Sequence, residues 1–350
     1  MPSHSLFLTN GMFIIDKIDA YDKTYNDVIG GGGTWAILGG CIVTSSLGVS
    51  RRLRWIVDRG SDFPVAATKQ IESWQSGACF RDDLSRLTTR GYNLYGANEL
   101  REFKYITKKK RIDVEDWKAV LGTHDLQKVP VFHLVCSDER ALHVMQSLPP
   151  CTGARTFVWE PVPDLCDQQH FEPIRRVMNG PDHVVISPNA QESARLFGLP
   201  EPVTLQECQD LTWKFDTFMN DTNACVVRCG KLGCLVLTSR DNGVRSLVHL
   251  PAYHFTTPEL VVDPTGGGNT FLGAFALGYV LTHGDLIIAS ICGNIAAGCA
   301  IEQIGVPGFN SDKWNGLTFV QRLTNYLKTY PTSFKVGQVL GKLNQGAQEA

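Results

Sequence analysis

The sequence runs to 350 residues, 43% hydrophobic and 19% charged, with a formal net charge of −2. A chain of that composition buries a large core and is not intrinsically disordered. Its near-neutral balance gives no long-range pull toward nucleic acid or an anionic membrane.

The first ten residues lack a basic segment ahead of an apolar one, so they do not read as a signal peptide. No run reaches the ~20 apolar residues a membrane span needs. Eleven cysteines, an odd number, lie mostly inside apolar runs, which fits buried thiols rather than a disulfide framework. The spacing of Cys225, Cys229 and Cys234 has neither a second pair nor a nearby histidine couple, so no zinc site is expected there. The expectation is a cytoplasmic protein.

In chain order, residues 6–15 read as a buried strand broken at Gly11. Residues 129–136, 155–159 and 183–187 read as further strands, with helices over 138–148 and 190–197. Residues 205–219 are amphipathic, with Leu211, Phe215 and Phe218 on one face. Residues 224–237 read as a strand pair interrupted at 230–233, and Asp241-Asn242-Gly243 is a hairpin turn signal. Strands alternating with helices predict an α/β fold with a mainly parallel sheet covered on both faces. Two polar, Gly-containing and aromatic stretches, about 20–34 and 88–111, lack a helical period and are expected to be extended segments over a cleft. The one basic cluster, Lys108 to Arg111, reads as a solvated turn.

The segment from Asp263 to Ala274 carries the most chemistry. Leu260, Val261 and Val262 read as a strand that feeds Gly266, Gly267 and Gly268, and then a helix with Phe271, Ala274, Phe275 and Gly278 on its packing stripe. Three glycines let backbone N–H groups turn inward together at the positive end of a helix, which makes a cradle for an anion. No Gly-Lys-Ser/Thr closes the loop, so it is not a Walker A loop. The bland alternative is a glycine-rich turn with Asn269 as helix N-cap.

The segment resembles the second signature of the PfkB family in Asp263, Gly266, Gly268, Phe271, Gly273 and Ala274. That resemblance implies a ribokinase-like three-layer αβα sandwich with a small β-rich lid, forming one kinase domain over 1–350. It also implies that the glycines and Thr265 serve the phosphates. The family's final Asp, which takes the acceptor's proton, is Asn269 here. Five further places agree. Asp16 resembles the residue that binds sugar hydroxyls. Gly30, Gly31, Gly32 and Gly33 resemble the early glycine signature, with Thr34 where the family has Asn. Asn189 and Glu192 resemble the pair that orients Mg2+ through water, although they equally suit a capping box. Arg228, Gly230 and Gly233 resemble the nucleotide hairpin, with Arg for the usual Thr, and Asn294 begins the helix beside the adenine. Residues 90–103 are similar to the fungal maintenance-of-killer branch, and Arg90 and Arg101 are candidates to reach an anionic substrate or to form structural ion pairs.

A neutral amide cannot take a proton, but phosphoryl transfer rests mainly on positioning and charge stabilisation. Two readings follow. One is a kinase moving the γ-phosphoryl group of ATP to a hydroxyl of a sugar, nucleoside or similar molecule. The other is a nucleotide-binding protein without turnover that acts through a partner. A Rossmann oxidoreductase fails on the missing dinucleotide fingerprint. A homodimer is left open.

Overall fold

A computed structural model describes residues 4–20, 23–95 and 101–350, with the side chains of Tyr95, Arg101 and Glu102 outside the described set. In chain order the elements are β1 (Phe7–Thr9), β2 (Ile14–Ala20), β3 (Lys23–Gly30), α1 (Gly32–Thr44), β4 (Leu53–Arg59), α2 (Val65–Ser73), β5 (Gly77–Asp82), β6 (Arg90–Tyr95) and β7 (Arg101–Tyr105). There follow α3 (Val114–Leu121), α4 (Thr123–Leu126), β8 (Val131–Cys136), α5 (Asp138–Ser147), β9 (Thr156–Pro161), α6 (Phe171–Met178), β10 (His183–Ile186), α7 (Ala190–Leu196) and α8 (Leu205–Trp213). The remainder holds β11 (Ala224–Arg228), β12 (Cys234–Leu237), β13 (Leu247–Leu250), α9 (Gly267–Leu281), α10 (Leu286–Ala300), α11 (Phe319–Thr329) and α12 (Val336–Glu349).

The large sheet has nine strands in the order β13-β12-β11-β10-β9-β8-β1-β4-β5. Its pairings are parallel from β5 through β11, and β12 and β13 close the edge antiparallel. Strands such as Val-Phe-His-Leu-Val-Cys in β8 are nearly continuous apolar runs, as expected where both faces are covered. One face carries α1, α9 and α10 with the core around Val131, Val158 and Val226. The other carries α3, α5, α6 and α8 over Phe132, Trp159 and Val227. Among the described residues no helix is long and apolar enough to cross a membrane.

Chain order reverses between β1 and β8. In open α/β sheets the crevice beyond the strand ends at such a reversal is where ligands bind. A second sheet, ordered β3-β2-β6-β7, stands apart from the first. Three of its strands, β3, β6 and β7, come from the two stretches whose sequence lacked a helical period, and β2 precedes the first of them.

Several sequence expectations are corrected. Residues 6–15 are not one strand, because the chain turns at Gly11 and places β1 and β2 in different sheets. Leu260 to Val262 form no strand. A 3₁₀ turn occupies Pro258–Leu260, Leu260 and Val262 are exposed, and the Val262 N–H goes to the Ile301 carbonyl rather than to a neighbouring strand. The helix over 205–219 ends at Trp213, and a 3₁₀ turn carries Phe215 into the core. All eleven cysteines are free, and only Cys151 is exposed.

Helices α1 and α9 pack backbone to backbone. A Cβ on Gly273 would lie 1.7 Å from the Ala36 carbonyl oxygen, which has nowhere to go. Gly273→Ala should therefore cost about 3 kcal/mol or more and lower Tm by about 6 °C. Gly337→Ala, where a Cβ meets nothing within 4 Å, should leave Tm within about 1 °C. Thermal melts of the two variants check this.

Candidate functional site

The N-terminus of α9 forms one wall of the crevice. Its N-cap is Gly266 in the left-handed region at φ 81°, and a Cβ there would strike the Trp35 ring at 2.2 Å. Asn269 is thus the third residue of the helix and not its cap, which overturns the bland reading of that residue. The incoming loop is tied down by Asp263, whose Oδ1 accepts the Thr265 N–H at 2.9 Å. The Val262 and Asp263 N–H groups both reach the Ile301 carbonyl, at 2.8 and 3.2 Å. Asp263 therefore supports the cradle from below.

The opposite wall is the start of α1. Gly31, at φ 94°, is its N-cap. The Thr34 hydroxyl is committed to the Gly30 carbonyl at 2.6 Å. The Gly33 N–H bonds to the Met12 carbonyl at 3.1 Å, which pins this turn to the crossing between β1 and β2. A Cβ on Gly32 would sit 3.1 Å from Asn269 Oδ1 and 3.3 Å from a Val135 methyl. Asn269 Oδ1 is buried with no hydrogen-bond partner. Asn10, one residue beyond β1, spends its Oδ1 on the Val135 N–H at 2.8 Å and leaves its Nδ2 unpartnered.

Asp16 sits on β2, in register with Gly91 of β6. Its carboxyl fills the space that side chains at Gly30 and Gly91 would occupy, 2.0 and 2.4 Å from their Cβ positions. Asp16 is 7% exposed, and its Oδ1 has no partner. Burial pushes its pKa up to about 7, against the opposing pull of a hydrogen bond from Asn93.

A third cluster lies at the ends of β9, β10 and β11. The Arg228 guanidinium reaches Glu160 Oε1 at 2.5 Å and the Ser187 carbonyl at 3.0 Å, with Glu192 at 3.6 Å. Glu192 and Asn189 form a complete capping box. Glu192 Oε2 accepts the Asn189 N–H, and its Oε1 accepts the Asn189 side-chain amide, both at 2.8 Å. Burial pushes the Glu192 carboxyl up, with Arg228 opposing. His133 is fully buried against Thr9 at 2.9 Å, and burial, with the nearby Arg228 charge, pushes it down to about 3, so it stays neutral.

The remaining candidates scatter. Gly230 and Gly233 turn the β11–β12 hairpin at φ 55° and 96°. Asn294 on α10 is buried and donates to the Leu250 carbonyl and the Tyr326 hydroxyl, 3.3 and 3.2 Å away. It holds the hairpin to the helices. Arg90 is tied by ion pairs to Asp27 at 2.8 Å and Asp62 at 2.5 Å, so its charge serves the small sheet. The Arg101 side chain lies outside the described residues. Sequence reading missed Asn10, Trp35, Asn93 and Glu160. For Glu160 a signal existed, since a lone carboxylate ends the otherwise apolar run from Phe157 to Trp159.

Comparison with known proteins shows the fold and the family. The description "pfkB family carbohydrate kinase" matches residues 110–313. The chain is 47% identical to Protein MAK32 of Saccharomyces cerevisiae over 97% of both chains. The ribokinase of Giardia lamblia superposes with a TM-score of 0.65 at 14% identity, covering 94% of this chain and 100% of that one. The Schistosoma mansoni adenosine kinase bound to 2-fluoroadenosine gives 0.65 at 14% identity, over 89% and 99%. The fold is ribokinase-like, and the chain belongs to the pfkB family of carbohydrate kinases.

Proposed function

We propose that the protein transfers the γ-phosphoryl group of ATP to a hydroxyl of a small polyol, such as a sugar or nucleoside. One observation carries this reading: two buried side chains that each keep an oxygen without a partner, Asp16 and Asn269, adjoin the same Gly30–Gly32 turn at the sheet's reversal point. Asp16 accepts hydrogen bonds from the acceptor's hydroxyls and fixes its orientation. Gly30, Gly31 and Gly32 let the acceptor approach the backbone. The first turn of α9, through Gly266, Gly267 and Gly268, stabilises charge on the phosphoryl oxygens in flight. Asn269 orients the attacking hydroxyl without deprotonating it, and the proton leaves to a phosphoryl oxygen or to water. Gly230, Gly233 and Thr265 would border the nucleotide.

Magnesium would accompany ATP as the counter-ion of its phosphates. Asn189 and Glu192, whose side chains are hydrogen-bonded to each other with Arg228 at 3.6 Å from Glu192 Oε2, would act on that magnesium only through water. No step is routed through the metal.

The amide at 269 supports a second reading, nucleotide binding without turnover. The deciding experiment incubates the protein with ATP, magnesium and a panel of sugars, polyols and nucleosides, and follows the small molecules by mass spectrometry. A phosphorylated product from the wild type that is lost in Gly267→Asp, whose carboxylate would repel the phosphates, is expected. ATP binding with no product from any acceptor would reject the kinase and retain the second reading.

A further inference from the structure

The carbonyls at the end of α10 need donors from elsewhere, because the last turn of a helix supplies none of its own. They are met from three places. The Cys299 carbonyl takes Asn315 Nδ2 at 3.2 Å, and the Ala300 carbonyl takes Gln303 Nε2 at 2.8 Å. The Ile301 carbonyl takes the Val262 and Asp263 N–H groups described above. The loop that enters the phosphate cradle is thus hung from the end of α10. Ile301 adds a second contact, since its Cγ2 lies 2.9 Å from where a Cβ on Gly267 would stand.

Gln303 does more than satisfy a helix end. Its Nε2 also donates to the Gly305 carbonyl at 3.2 Å, so one amide closes the turn from 300 to 305. Its Oε1 accepts from Asn315 Nδ2 at 2.5 Å, which fixes which end of the amide is the donor. Glu302, next in the turn, is held by Arg322 Nη1 and Nη2 at 2.6 and 2.9 Å, with His254 Nε2 at 3.3 Å. The His254 ring meets the Thr257 hydroxyl at 3.0 Å, in the segment that leads to the cradle. Ile301 therefore stands between two held residues, and its carbonyl is aimed at Val262 and Asp263.

We propose that Gln303 is a positioning residue for the phosphate cradle. Its side-chain amide closes the 300–305 turn and so aims the Ile301 carbonyl at the loop entering α9. This rests on reading the cleft as a phosphoryl-transfer site. Gln303 acts through Ile301 and is assigned no contact with nucleotide or acceptor.

Gln303→Met keeps the length of the side chain and removes the donor. Hydrogen–deuterium exchange of the ligand-free full chain reads the positioning directly. The variant should speed exchange over residues 260–266 about tenfold and leave the strands of the large sheet unchanged. Calorimetric titration with ATP and magnesium should show affinity weakened about two- to tenfold, the range for one net hydrogen bond. Asn179 supplies the control, because its Nδ2 bridges the Arg175 and Phe218 carbonyls at 2.8 and 2.9 Å, ahead of β10 and away from the crevice. Asn179→Leu should lower Tm about as much as Gln303→Met, with exchange over 260–266 and ATP affinity at wild-type values. Wild-type exchange over 260–266 in Gln303→Met, or faster exchange spread evenly along the chain, overturns the proposal. So does unchanged ATP affinity where the wild type binds ATP. Faster exchange confined to 260–266 in a protein that binds no ATP supports the positioning and rejects the phosphoryl-transfer reading instead.

Discussion

Asn269→Asp should raise the phosphoryl-transfer rate by about 10²-fold, the lower part of the range for a general base. Residue 269 is the third position of α9, where a carboxylate is favoured by the helix dipole by about 0.3–1 kcal/mol, so the variant should fold at least as well as the wild type. The side chain already faces Gly32 across the crevice, so the new carboxylate would arrive beside the acceptor hydroxyl with no rearrangement. The dipole also keeps it ionised, which limits its strength as a base and places the gain at the low end. Single-turnover rates at saturating ATP and acceptor check this. An unchanged rate in a protein that turns over would mean that Asn269 does not adjoin the reacting oxygen.

The second large effect is at Asp16. Its pKa is raised from 3.8 to about 7 in the folded protein because burial disfavours the charge. The native state therefore binds this proton more tightly than the unfolded chain. Stability is fullest below about pH 4, declines as pH rises from about 4 to 7, and is flat above that. Asp16→Asn removes the buried charge and should stabilise the protein at pH 8 by up to about 4 kcal/mol, with no gain at pH 4. The same change deletes the carboxylate proposed to receive the acceptor's hydroxyls, so KM for the acceptor should rise about 10- to 10²-fold. In the wild type, acceptor affinity should increase as pH climbs through 7 and Asp16 ionises. Melts at pH 4 and 8 and KM across pH 6–8 test both halves. A variant that gains no more over the wild type at pH 8 than at pH 4 would show that Asp16 is not held at a raised pKa.

The sequence made the large sheet legible because its strands are bounded apolar runs and its helices carry recognisable caps, such as Asn189 with Glu192. The cradle was legible because three glycines before a helix have few uses. The small sheet was visible only as a lack of periodicity. Strands β3, β6 and β7 are polar in sequence, and the pairing in this sheet depends on partners up to about eighty residues away, as with Asp16 and Gly91. The break at Gly11 was read correctly, but not the change of sheet it makes, since nothing local distinguishes a kink from a crossing. Tertiary context also decided the charged groups. Arg90 and Arg228 look alike as lone arginines, and only the fold gives one to Asp27 and Asp62 and the other to Glu160.

The contact between Gly273 and Ala36 has a consequence for how such a chain can diversify. Helix α9, proposed to handle phosphate, and helix α1, proposed to open the acceptor pocket, are packed backbone to backbone, so the distance from Gly32 to Asn269 is a property of the scaffold and not of any loop. Residues on the small sheet contribute nothing to that fusion. They are free to drift toward another acceptor without disturbing where the phosphoryl group would be delivered, and selectivity can be rewritten from one side of the cleft alone.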